Sequence, residues 1–139
     1  MKGIIQSFAL ILLLMVAYQP LTHAQSPDQA ESKPEVLGVL MYADWCSKCQ
    51  ELDPKLPEVK PQFQDQSILF IQFDMTNDFT TSQSGKLAGL LGLSDLFQKH
   101  KGRTGYMVLL DAQTHEVLKT LKHNQSQQEL RKKIDSVLQ

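Results

Sequence analysis

The chain is short of most of what would spread its chemistry over many places. It has two cysteines in 139 residues, both in one Cys-x-x-Cys pair. That excludes a disulfide-laced scaffold and leaves Cys46–Cys49 as the internal disulfide it can close. Histidine is scarce as well: beyond the N-terminal segment only His100, His115 and His123 remain. A zinc site built on the cysteine pair would have to draw its two further ligands from these. There is no excess of charge of one sign, with a formal net charge of −1 at pH 7. Nothing therefore suggests nucleic acid as a partner. Long apolar runs are missing too, since the stretch from Phe8 to Tyr18 is short of the roughly 20 residues of a membrane-spanning helix. No internal repeat and no second domain is visible.

What is present begins with Met-Lys, that short apolar run and a polar break at Gln19-Pro20. Thr22-His23-Ala24 then offers small residues where a signal peptidase reads, so residues 1–24 are expected to be a secretory signal cleaved after Ala24. The other reading is an uncleaved anchor, and only through it would the chain touch a membrane. Residues 25–35 are polar, contain proline and show no periodicity, as a flexible leader would. Residues 36–139 are left as one domain with one modest core.

That domain is organised around Val36 to Cys49. The apolar run Val36–Tyr42 predicts a buried strand, and a helical pattern starts at Ser47, so the cysteines sit where strand hands over to helix. A thiol there faces unpaired backbone N–H groups and the positive end of the helix, both of which favour thiolate. Cys46 is the expected nucleophile. Cys49, one turn later on the same face, can resolve a mixed disulfide formed at Cys46, and Lys48 adds a positive charge nearby. Further on, Ser67–Phe73 predicts a central strand covered on both faces. Residues 84–100 predict a helix with Leu87, Leu90 and Leu91 on one face, broken at Gly92 and restarted by a Ser94 cap. Tyr106–Leu110 and Glu116–Leu121 read as a hairpin, and Ser126-Gln-Gln-Glu129 as the capping box of a last helix carrying Leu130 and Ile134.

Ala43-Asp44-Trp45-Cys46 to Cys49 resembles the active-site segment of the thioredoxin superfamily. Pro54, five residues past Cys49, is similar to that family's helix-kinking proline. The order β-α-β-α-β-β-α resembles the minimal thioredoxin fold, an α/β architecture with a central mixed sheet flanked by helices. The resemblance implies a thiol-disulfide oxidoreductase without a cofactor or a bound metal. Its partners would be client proteins with disulfides and, for an exported reductase, a membrane thiol-disulfide electron donor. The expected compartment is the periplasm.

The chain also departs from the family's pattern. Where a cis-proline is expected opposite the cysteines, the matching site is Thr104-Gly105, a loop implied to present its backbone to substrate. The buried acid expected six residues before the first cysteine is Leu40, and its lysine partner corresponds to Phe70. Asp44, an exposed site or water is then the candidate base for Cys49. Ser47-Lys48, between the cysteines, does not set the redox direction.

Other readings of the same residues stay open. The pair could hold copper(I) as a metal chaperone, form half of a zinc site, or be a structural disulfide. The last closes so small a loop that its chain-entropy benefit is slight. A redox-inactive binding module is a further alternative. Trp45 reads as a docking surface and shield for the site, with Asp44 and Lys48 tuning the thiols. Lys99-His100-Lys101-Gly102-Arg103 reads first as charge complementing a helix C-terminus and second as a partner-docking patch. Met41, Met75 and Met107 are expected in the core, and the Asn124-Gln125-Ser126 sequon reads as incidental.

Overall fold

A computed structural model describes residues 33–139. The expected signal segment and all but the last residues of the leader lie outside the described residues.

Seven apolar or small residues, Val-Leu-Gly-Val-Leu-Met-Tyr, form β1 (Val36–Tyr42). This strand is central and pairs in parallel with β2 (Ile68–Asp74) and antiparallel with β3 (Tyr106–Asp111). β3 pairs antiparallel with β4 (Val117–Lys122), giving the order β2-β1-β3-β4. Side chains alternate between the two faces of β1, so the strand feeds two cores. Leu40 joins Leu52, Leu56, Val59, Met107, Leu121, Leu130 and Ile134 on one face. Val39 and Met41 join Phe73, Ala88, Leu93, Phe97 and Val108 on the other, where Phe73 and Phe97 meet edge to face at 5.4 Å. Gly38 is required by this packing, because a Cβ there would stand 2.8 Å from the Phe70 ring.

The first helical stretch is segmented as its prolines demand. α1 (Ser47–Leu52) passes into a 3-10 turn at Asp53–Lys55, α2 (Leu56–Val59) and a second 3-10 turn at Lys60–Phe63. Pro54, Pro57 and Pro61 each fall in the opening positions of a segment, where a missing N–H costs no helical bond. The last helix, α5 (Gln127–Asp135), carries the expected capping box between Ser126 and Glu129 and buries Leu130 and Ile134.

Three expectations fail. β2 is an edge strand among the described residues, with Leu69 44% exposed. Its apolar run looked like a strand covered on both faces. The long helix α3 (Asp78–Leu90) begins six residues before the expected position 84, capped by Asn77, which exchanges hydrogen bonds with Thr80. Its buried face is Ser84 and Ala88, while Leu90 is 86% exposed. Small residues win that face because they let the helix sit close: the Ser84 hydroxyl donates to the Asp74 carbonyl at 2.9 Å, and Gly85 lies under Phe97. In α4 (Ser94–His100) the N-cap is Leu93, and Ser94 is the first helical residue rather than the cap.

Candidate active site

β1 ends at Tyr42, buried Ala43 follows, and the chain turns through Asp44 and Trp45 into Cys46. Cys46 is the N-cap of α1, with extended backbone angles, and its sulfur accepts a hydrogen bond from the Cys49 N–H at 3.3 Å. At six residues α1 is too short for a large macrodipole. Specific N–H donors therefore do what the helix end was expected to do. Both cysteines are free thiols. They are not equivalent: Cys46 keeps 8% of its surface while Cys49 keeps 1%.

The electrostatics separate the two further. Burial pushes the Cys46 thiol up, but hydrogen bonds from the Thr104 hydroxyl, the Cys49 thiol and the backbone N–H groups of Cys49 and Lys48 outweigh it. The net result is a pKa below that of an ordinary cysteine. Cys49 is pushed up to about 11, by burial first and by its bond to Cys46 second. Its sulfur lies 3.8 Å from the Met41 carbonyl oxygen. Deprotonation thus starts at Cys46.

The loop opposite is Thr104-Gly105. Gly105 has φ +90, and its N–H donates to the Met41 carbonyl at 2.9 Å. A Cβ on Gly105 would overlap the Cβ of Lys48 and stand 3.3 Å from the Cys46 sulfur. Glycine therefore supplies both the left-handed backbone and the close approach. No cis peptide bond occurs among the described residues. Leu40 and Phe70 sit in or against the apolar core, so no carboxylate–lysine pair stands at those positions.

Trp45 is 61% exposed, beside the nucleophile, and its indole N–H donates to the Thr76 carbonyl at 2.9 Å. Asp44 is exposed and is held by its backbone. Its N–H donates to the Thr76 hydroxyl at 3.0 Å, and its carbonyl accepts from the Gln50 side chain at 3.1 Å. Lys48 is exposed, and its backbone N–H is what reaches Cys46. Thr76 thus anchors both residues before Cys46 and was not singled out from sequence. A signal existed: parallel strands present their C-terminal ends at one sheet edge, so the residues just after β2 had to lie beside those just after β1. Among the described residues no three His, Cys, Asp or Glu side chains gather closely enough to hold a metal ion.

The family model described as Thioredoxin matches residues 21–101, more than half of the chain. The chain belongs to the thioredoxin family. Solved structures of the same fold include a thioredoxin-family thiol:disulfide interchange protein from Chlorobium tepidum, 18% identical, with a TM-score of 0.54 over 77% of this chain and 82% of that one. StoA from Bacillus subtilis is 15% identical with a TM-score of 0.51, over 73% and 84% of the two chains. The dsbF of MTB is also 15% identical with a TM-score of 0.51, over 77% and 84%. No curated protein matches the chain in sequence. As in other family members, a mixed sheet flanked by helices carries a Cys-x-x-Cys pair at the end of a central strand.

Proposed function

We propose that this protein is an exported thiol-disulfide oxidoreductase that reduces disulfides of periplasmic client proteins. The observation that supports this best is the division of labour between the thiols. A slightly accessible Cys46 is stabilised as thiolate beside a sealed Cys49 whose pKa is about 11. The Cys46 thiolate attacks a client disulfide, forming the Cys46–client bond and releasing the other client sulfur as thiolate, which takes up a proton. Cys49 then loses its proton and attacks the Cys46 sulfur. The Cys46–Cys49 disulfide forms and the second client thiolate leaves. Two electrons pass to the client, and a membrane thiol-disulfide donor restores the dithiol. Trp45 and the Thr104-Gly105 loop form the docking surface around the attacking sulfur, with Lys48 and Asp44 beside it.

Cys49→Ala should accumulate mixed disulfides through Cys46 with proteins of its own compartment, and Cys46→Ala should abolish turnover. If Cys49→Ala traps no such client, the enzyme reading falls. Direction is read from the reduction potential. A value near about −270 mV supports a reductant, and one near about −120 mV makes the protein a donor of disulfides. Fractionation of the full chain tests export: retention in the cytoplasm with residues 1–24 intact would overturn it.

A further inference from the structure

The cysteine site opens sideways into a second feature. An open cavity of about 720 Å³ lies between the Thr104-Gly105 loop and the β4 end of the sheet. Its wall includes Lys48, His100, Arg103, Lys122 and His123, and among the described residues no carboxylate side chain lines it. Lys48 and Gly105 belong to this wall and also pack against one another beside the Cys46 sulfur. The cavity is therefore continuous with the point of attack. Lys48, Arg103 and Lys122 are exposed, so their charges are free to meet a ligand. At its rim Glu51 bonds His123 Nδ1 at 2.8 Å.

This concentration of positive charge runs against the chain as a whole, whose net charge is −1. It is also split from the rest of its own sequence cluster. His100 and Arg103 of the Lys99–Arg103 run face the cavity, whereas Lys99 lines a different depression beside Thr114–Val117. A wall of one sign beside a reaction centre raises the local concentration of oppositely charged partners and speeds their encounter.

We infer that this basic groove is a specificity site that selects client polypeptides carrying Asp or Glu next to the disulfide that Cys46 attacks. The inference rests on the redox reading above and names its substrate class. The bound client lays the sulfur to be attacked over Cys46 and its neighbouring carboxylates against Arg103 and Lys122. Lys48 lies between the two.

The test is single-turnover reduction by the pre-reduced protein, which needs no electron donor. Five probes are compared: disulfide-linked peptides with Glu-flanked, Gln-flanked or Lys-flanked cysteines, the uncharged hydroxyethyl disulfide, and oxidised glutathione. The Glu-flanked peptide should react about tenfold faster than the Gln-flanked one at low salt, and the advantage should shrink steeply at high salt. Arg103→Glu with Lys122→Glu should invert the order of the Glu- and Lys-flanked peptides while leaving the hydroxyethyl disulfide rate within twofold. The milder Arg103→Gln and Lys122→Gln pair should remove the preference even if the reversal does not fold. Equal rates for the three peptides would overturn the specificity while leaving the redox reading intact. Failure to reduce even the uncharged disulfide would remove both. Faster reaction with oxidised glutathione than with the Glu-flanked peptide would overturn the polypeptide assignment in favour of a small anionic disulfide.

Discussion

Replacing Thr104 with valine removes the hydroxyl that bonds to the Cys46 thiolate while keeping the volume of the side chain. A hydrogen bond to a charged group is worth about 1.5–3 kcal/mol. Thr104 is half-buried, and water can partly replace it, so the lower figure applies. Since one pKa unit corresponds to about 1.4 kcal/mol, the Cys46 pKa should rise by about one unit. Below both midpoints the thiolate fraction then falls about tenfold. A more basic thiolate is a better nucleophile, which returns about threefold of the loss, so attack slows only about three- to fourfold. Above both midpoints the sign reverses, and the variant should react about threefold faster than the native protein. The assay is the alkylation rate of Cys46 against pH for the native protein, Thr104→Val and Thr104→Ser, with serine retaining the native curve. The reduced form loses thiolate stabilisation, so the potential of Thr104→Val should move negative by up to about 30 mV. Parallel curves that never cross would refute the reasoning, because a merely structural defect slows the reaction at every pH.

At neutral pH one equivalent of iodoacetamide should modify Cys46 before Cys49, as peptide mapping would show, because the Cys46 pKa is lowered and that of Cys49 stands at about 11. The mixed disulfide at Cys46 should decay faster by up to about tenfold per pH unit through the neutral range, followed by quenched-flow, since its resolution waits on Cys49 ionisation. Gly105→Ala should lower stability by about 1–3 kcal/mol in urea unfolding, because it forces a Cβ into φ +90 and into Lys48. Gly105→Pro should cost more still, since proline can neither adopt that angle nor donate to the Met41 carbonyl. Trp45→Ala should raise the KM for protein clients by about thirtyfold, as loss of a docking hot spot does, and change a small uncharged disulfide far less.

The parts of this fold that were legible in sequence are those determined within a turn or a strand. The Ser126–Glu129 box and the Cys46 N-cap each span four residues, and β1 announces itself by seven consecutive apolar or small positions. What escaped was determined from a distance. α3 hides its inner face because Ser84 and Ala88 are chosen for closeness to β2 rather than for hydrophobicity, while Leu90, the residue that looks like core, points outward. β2 opens with four apolar residues, Ile68–Ile71, yet ends the sheet among the described residues with Leu69 exposed, since which strand lies beside it is set by the chain's distant parts and not by its own composition. At the site, the cysteines and Trp45 could be read from their spacing. Thr76 could not, because its part is played by a backbone carbonyl and a hydroxyl more than thirty positions from the residues it holds.

The same distances bear on how the two chemical steps divide. With Leu40 in the core and Phe70 packed over Gly38, the polar groups around the Cys49 sulfur, apart from Cys46, are the Met41 carbonyl, the Ala43 backbone N–H and the Thr104 hydroxyl, and none of these is a base that takes the proton away. A departing client thiolate of ordinary basicity, about 8.5, lies below Cys49 at about 11, so moving the proton to it is uphill. Formation of the mixed disulfide lowers that slope, because the Cys46 thiolate that helps to hold the Cys49 proton is gone. Burial, the larger cause, persists. The first step is therefore prepared in the resting protein and the second is not. An enzyme whose covalent intermediate resolves slowly is occupied by each client it attacks, so selection has to act before the attack. A basic groove that begins at Lys48, one side chain from the nucleophile, acts at that stage.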